Sequence, residues 1–156
     1  MTAPIEIITY QPAYKDAFRD LNFEWLEKYF EVEPIDKKVL SDPEGYILQP
    51  GGHILFARYN NQVVGTCALI RKADKVYEFS KMAVTEKYQG LQLGYLLLKA
   101  AIELARQTGA ELVFLESNTK LETACNLYKR FGFKVVSPDP NSVYARANIR
   151  MEYPLI

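Results

Sequence analysis

The sequence predicts an α/β (α+β) domain: a mixed, mostly antiparallel sheet with one parallel central strand pair and helices on both faces. Three observations carry this. Three β-prone runs, His53–Tyr59, Val63–Arg71 and Val76–Val84, follow one another across very short turns. A long helical stretch from Leu93 to Gln107 then leads to another apolar run, Leu112–Glu116. A second helix and two further strand-like runs close the chain.

Ile5–Thr9 reads as a first strand before Pro12. From Pro12 to Phe30, Tyr14, Phe18, Leu21, Trp25 and Tyr29 recur at three- and four-residue spacing, an amphipathic helix entered through a proline. Glu31–Gly52 holds Pro34, Pro43, Pro50 and Gly51-Gly52, so loops flank a short helix near Asp36–Ser41. Asn60-Asn61-Gln62 is a tight hairpin signal because Asn tolerates positive φ, and Lys72–Lys75 is a second hairpin. In the long helix, Leu93, Leu97, Ala100, Ala101 and Leu104 share a face, and Thr108-Gly109 stops it. The step from Val76–Val84 through this helix to Leu112–Glu116 is a right-handed crossover between parallel strands. Thr119-Lys120-Leu121-Glu122 has the pattern of a capping box. The helix it opens carries Leu121, Ala124, Cys125, Tyr128 and Phe131 on one stripe and ends at Gly132. Phe133–Val136, a turn at Pro138–Asn141 and a last strand Val143–Tyr153 complete the order β-α-α-β-β-β-α-β-α-β-β.

Composition bounds the function. At 156 residues the chain fits one domain, 1–156. Hydrophobic residues at 49% and charged residues at 24% exclude a disordered or fibrous chain. Lys plus Arg and Asp plus Glu are 19 each, which disfavours a nucleic-acid partner. No apolar run approaches the ~20 residues of a membrane span, and no signal peptide is visible. Cys67 and Cys125 form no CxxC, consistent with a reduced, cytoplasmic setting. His53 is the one histidine, and it starts a strand after Gly-Gly, so a structural role is expected. Neither a zinc site nor a Ser-His-Asp triad can be assembled from this inventory, and no metal is expected.

The segment Met82-Ala83-Val84-Thr85-Glu86-Lys87-Tyr88-Gln89-Gly90-Leu91-Gln92-Leu93-Gly94-Tyr95 ends a strand, carries two glycines and starts a helix. Backbone N–H groups at a helix start, with the positive end of the helix dipole, make a cradle for a phosphate or pyrophosphate. Neither the Walker nor the Rossmann glycine pattern is met. The other reading is a plain tight strand-to-helix turn.

Gln89-Gly90-x-x-x-Gly94, together with Asn126-Leu127-Tyr128-Lys129-Arg130-Phe131-Gly132-Phe133, resembles the GCN5-related N-acetyltransferase (GNAT) superfamily. The resemblance is strongest from Val76 to Val136 and weak before His53. It implies acetyl-CoA as co-substrate, with its pyrophosphate on Gln89, Gly90, Leu91, Gln92, Leu93, Gly94 and Tyr95. It also implies a bulge separating the central strands Val76–Val84 and Leu112–Glu116. The pantetheine arm would lie in that gap, on backbone groups of Met82, Ala83 and Val84. Gln92 stands where the family usually has glycine.

By the same resemblance Tyr128 protonates the leaving thiolate, although its place on an apolar stripe also fits plain core. Glu78, a carboxylate on a largely apolar strand face with Val76, Ser80, Met82 and Val84, is the implied base, directly or through ordered water; a surface role is the alternative. Backbone N–H groups at the end of the same strand would steady the oxyanion. Asn126, one position off its helix stripe, either contacts the CoA arm or faces solvent. Asn118 reads as a turn residue, Lys81 alternates to the opposite face with no role, and Trp25, Tyr29 and Phe30 read as core or pocket wall.

The activity implied is acetyl transfer to a primary amine of a small molecule, peptide or protein, by direct attack in a ternary complex. Such an amine has an unperturbed pKa near ~10.4 and must first lose a proton. The alternatives are an inactive acyl-CoA-binding sensor or scaffold of the same fold, and an unrelated phosphate-binding enzyme. Similar proteins commonly pair, so a homodimer is a further expectation. Asn22–Gly52 and Ser137–Asn141, which would shape the acceptor site, carry no readable motif.

Overall fold

The computed structural model describes residues 4–89 and 92–155. Seven strands form one sheet in the order β1-β2-β3-β4-β5-β7-β6. They are β1 (Ile5–Thr9), β2 (His53–Tyr59), β3 (Gln62–Ala73), β4 (Val76–Val84), β5 (Leu112–Ser117), β6 (Lys134–Val136) and β7 (Ile149–Pro154). β4 and β5 run parallel and the other described neighbours antiparallel. The helices are α1 (Lys15–Tyr29), α2 (Pro34–Ser41), α3 (Leu93–Gln107) and α4 (Glu122–Phe131).

Both hairpins form for the expected reason. Asn60 and Asn61, at φ 52° and 61°, make a two-residue turn, and Lys75 at φ 60° serves the second. Ala73 pairs with Val76, so the second loop shortens to Asp74-Lys75.

Strand alternation divides the core between two faces. Ile54, Phe56 and Ala68 meet Phe18 and Leu26 of α1 and Val39 and Leu40 of α2. Leu55, Ala57, Cys67, Leu69, Val113 and Met151 meet Leu97, Leu98, Ala101 and Ile102 of α3 and Cys125 and Tyr128 of α4. The expected α1 stripe divides: Phe18 and Leu21 are buried, whereas Trp25 and Tyr29 are half-buried beside a cleft.

Three expectations need correction. The last strand begins at Ile149, not Val143. Between these positions Arg146 bonds to α2 and the Asn148 N–H donates to the Ser117 carbonyl, so the chain crosses the sheet end before joining it. The Thr119–Glu122 capping box does not form: α4 starts at Glu122 with Leu121 at its N-cap, two residues past Thr119, whose hydroxyl accepts from Asn148 Nδ2. A reciprocal box caps α2 instead, between Glu33 and Asp36.

The third correction concerns β4. Thr66 pairs with Ala83 and Ala68 with Ser80, so Lys81 and Met82 stand opposite Cys67 alone. This is a β-bulge, with Lys81 at φ 57°. It reverses the alternation: Tyr77, Phe79, Met82 and Val84 all pack on the α3 side, while Glu78 belongs to the opposite face. Period two, applied across the bulge, put Glu78 and Met82 on one face.

The entry to β2 is fixed by a close approach at Gly52. A Cβ there would stand 2.5 Å from the Leu69 carbonyl oxygen and 2.6 Å from that of Ile47. Gly52→Ala is therefore expected to destabilise by about 2–3 kcal/mol. That lowers Tm by roughly 4–12 °C in calorimetry; an unchanged Tm would show that the approach is not tight.

Candidate active site

Parallel pairing of β4 with β5 covers Val76–Leu112, Tyr77–Val113 and Glu78–Phe114 and no further. Past it β5 stays bonded to β7 as far as Ser117, so β4 and β5 diverge. A cleft of about 930 Å³ opens there, between α1, α3, α4 and the segment before β7.

One side is the β4-to-α3 connection. After β4 the chain makes a turn of 3-10 helix at Glu86–Tyr88 and enters α3 through Gln92, which adopts φ 58° and ψ 28°. This left-handed conformation is the one glycine takes most readily. Among the described residues no side chain caps α3, and its first intrahelical bond there runs from the Leu96 N–H to the Gln92 carbonyl. The preceding N–H groups of its first turn thus remain available to an anion, with the positive end of the helix dipole behind them. Gln92, Leu93, Gly94 and Tyr95 line the cleft, with Arg130 of α4. At Gly94 an added Cβ would meet Leu127 at 3.5 Å and Met82 at 3.7 Å, ordinary contacts, so the helix start lies against β4 and α4.

Tyr128 lines the cleft from α4, 7% exposed, its ring set against Phe79 and Phe133. Burial pushes its hydroxyl pKa up, so it is a neutral donor at neutral pH. Glu78 lines the cleft near the fork of the strands and is 4% exposed. Burial, then the neighbouring Glu116 charge, raises its pKa against the pull of Lys72 and Lys81. Lys72 Nζ lies 3.5 Å from its carboxylate.

Four further polar residues line the other half of the cleft: Asp36, Lys81, Tyr144 and Arg146. Asp36 is fully buried and accepts from Arg146 Nη1 at 2.9 Å and Nη2 at 2.8 Å, and from the Glu33 N–H at 2.9 Å. Burial alone would raise its pKa, but the bonds from Arg146 and the Glu33 N–H and the nearby cations hold it below the ordinary value. Lys81 Nζ bonds to Asp36 Oδ1 at 3.4 Å and to the Tyr144 hydroxyl. Burial lowers the Lys81 pKa to about 8, with Asp36 opposing.

Of the residues singled out in the sequence, Glu78, Met82, Val84, Gln89, Gln92, Leu93, Gly94, Tyr95 and Tyr128 come together around the cleft. Gly90 and Leu91 lie outside the described residues. The Ala83 side chain is buried away from the cleft lining, and Asn126 sits on the exposed side of α4. Asn118 takes its turn role: Oδ1 accepts from the Lys120 N–H, and Nδ2 donates to the Arg146 carbonyl. Asp36, Lys81, Tyr144 and Arg146 were not legible as site residues. Lys81 was assigned to the wrong face by alternation, and the segment with Tyr144 and Arg146 was read as strand.

Among the described residues no group of three or more potential metal ligands occurs, and no helix is long and apolar enough to cross a membrane.

Both the sequence and the fold have counterparts among known proteins. An N-acetyltransferase of Mycobacterium tuberculosis without assigned substrate is 33% identical over 90 residues, 58% of this chain and 58% of that protein. The chain thus matches little more than half the length of that relative. A GNAT-family acetyltransferase from Staphylococcus aureus has the same fold, with a TM-score of 0.88 at 24% identity, covering 98% of this chain and 100% of that one. A Salmonella typhimurium protein solved with its cofactor acetyl-CoA superposes with a TM-score of 0.77 at 20% identity, over 97% and 94% of the two chains. Residues 12–133 match the acetyltransferase (GNAT) family, and the chain belongs to it.

Proposed function

We propose that the protein transfers the acetyl group of acetyl-CoA to a primary amine by direct attack in a ternary complex. The observation that carries this is the fork between β4 and β5, leading from an uncapped helix start to Tyr128 and Glu78. Family membership supports it, as does the neighbour that holds acetyl-CoA.

In this reading the pyrophosphate rests on the α3 start, around Gln89 and Gln92–Tyr95, with Gly90 and Leu91 between them. The pantetheine arm runs back along Met82–Val84 and adds to the open strand edge as a further strand would. Its thioester then reaches the level of Tyr128. Glu78, directly or through water, takes the proton from the incoming ammonium. Its raised pKa suits a base working near neutrality better than an ordinary glutamate would. The amine attacks the thioester carbonyl, a C–N bond forms and the C–S bond breaks; Tyr128 gives its proton to the departing thiolate and takes up the second proton of the attacking nitrogen, so a neutral amide and the free thiol leave. Holding amine and thioester in line supplies much of the rate, roughly 7–11 kcal/mol for well-oriented pairs.

The direct test incubates the protein with acetyl-CoA and a panel of small amines, amino acids and peptides and follows free thiol. Thiol release that requires an amine supports the proposal. Calorimetric binding of CoA without turnover on any amine would make the protein a binding module.

Replacing Gly94 by Val puts a branched side chain where the cleft meets Leu127 and Met82, and is expected to weaken acetyl-CoA at least about tenfold in calorimetry. Unchanged affinity would move the pyrophosphate elsewhere. Tyr128→Phe is expected to lower kcat by about a hundredfold or more while acetyl-CoA affinity holds. Equal turnover of the variant across pH would remove Tyr128 from the chemistry.

Glu78 is active as the carboxylate, so kcat/KM rises as pH climbs through its raised pKa. Glu78→Gln is expected to abolish that limb and displace the optimum upward. An acid limb that persists in the variant would assign the base to another group.

A further inference from the structure

Lys81 has no part in the chemistry above, yet its side chain is only 5% exposed. Lysines are almost never so buried unless they are paired. Three separate pieces of the chain meet on its ammonium. Asp36 comes from α2 at 3.4 Å, the Tyr144 hydroxyl comes from the segment before β7, and Lys81 itself sits at the β4 bulge. The Tyr144 ring also lies under Nζ, at 4.2 Å from its centroid. Arg146 closes the circuit, bonded to Asp36 and to Glu33 and stacked 4.5 Å from the same ring. The Ala145 N–H donates to Glu33. Asp36, Lys81, Tyr144 and Arg146 all line the half of the cleft away from the α3 start.

We propose that Lys81 is the positioning residue of the acceptor half of the cleft, its ammonium pinning Ser142–Ala147 and α2 to the β4 bulge so that the acceptor amine meets one fixed wall. The word acceptor rests on the acetyl-transfer reading; the pinning does not.

The charged form is the one that holds the wall. The neutral amine keeps two N–H donors but loses the charge that, together with Arg146, offsets the Asp36 carboxylate. The groups facing it are Asp36 from α2, Glu78 on β4, and Tyr144 and Arg146 from the crossing segment. Glu33 stands behind Arg146, and Glu116 of β5 acts on Glu78. Burial brings loss of the proton to about pH 8. Above that the wall loosens, and the Glu78 carboxylate loses a neighbouring cation.

The test compares Lys81→Met and Lys81→Arg with the wild type in two measurements. One is steady-state kinetics with an amine that turns over; the other is amide hydrogen exchange of Ser142–Ala147 in the protein without substrates. Lys81→Met is expected to raise the acceptor KM at least tenfold, to leave the acetyl-CoA KM within twofold, and to speed exchange in the segment. It also moves the acid limb of kcat/KM to higher pH, because Glu78 has lost a cation, and removes the alkaline limb near pH 8. Lys81→Arg keeps exchange near the wild-type rate and loses the same alkaline limb. Tyr144→Phe, which cuts only the hydroxyl contact, speeds exchange to a smaller degree and serves in place of Lys81→Met should that variant not fold.

An alkaline limb unchanged in Lys81→Arg, equal effects on the two KM values, or unaltered exchange would each overturn the proposal. A wild type that acetylates no amine, with exchange still faster in Lys81→Met and near the wild-type rate in Lys81→Arg, would sink acetyl transfer and leave the pinning standing.

Discussion

Parallel pairing between β4 and β5 lasts for three residue pairs, and the bulge at Lys81 marks where it cannot resume. A bulge bends and twists its strand. The far end of β4 is thereby carried away from β5 while β5 remains bonded to β7. Backbone groups in the middle of a sheet seldom lack partners, because burying them unpaired is costly. Here the strand edge faces a cleft, where water or an extended ligand can satisfy it. The bulge thus adjoins the gap between the strands, and the helix start, Tyr128 and Glu78 are arranged around that gap.

The second organising element is ionic. Asp36 is fully buried, and a buried carboxylate persists only when its hydrogen-bonding capacity is met. Arg146 meets it in bidentate fashion, the Glu33 N–H adds a third bond, and Lys81 supplies a second cation. Such clusters contribute little net stability once desolvation is included, and well-packed apolar groups often do as well. What the cluster does supply is geometry: it ties α2, β4 and the chain before β7 together at the mouth of the cleft. Removing one member would leave a charge stranded, so the three side chains act as a unit.

Much of the fold was legible because its signals are local. The Asn60-Asn61 turn, the helical stripe of α3 and the Gly132 stop at φ 125° each follow from a few adjacent residues. The α3 start and Tyr128 were singled out through the family resemblance, carried by residues along one loop and one helix, and both line the cleft. The rest was not, and for a common physical reason. Lys81 faces the cleft because Cys67, on another strand, stands opposite two residues instead of one; nothing within β4 announces this. Tyr144 and Arg146 sit in a run with strand-like composition. They stand outside the sheet, and Arg146 instead bonds to Asp36 and Glu33, more than a hundred residues earlier. Thr119 is likewise no cap: α4 begins after Leu121, and the Thr119 hydroxyl meets Asn148 from a distant part of the chain.

Five described non-glycine residues have positive φ. Asn60, Asn61 and Lys75 occupy hairpin turns, where the sheet twist demands that conformation. Lys81 and Gln92 occupy none, and each left-handed residue costs roughly 1–2 kcal/mol. They bracket the stretch from the β4 bulge to the α3 start, the part of the chain that lies along the proposed path of the coenzyme. Strain of this kind persists only where surrounding contacts overdetermine the backbone. At position 81 those contacts are visible: Asp36 and Tyr144 hold the side chain that the bulge turns toward them. At position 92 the described protein supplies no side-chain cap. In the proposed function, an anion on the first-turn N–H groups would offset the cost of that conformation.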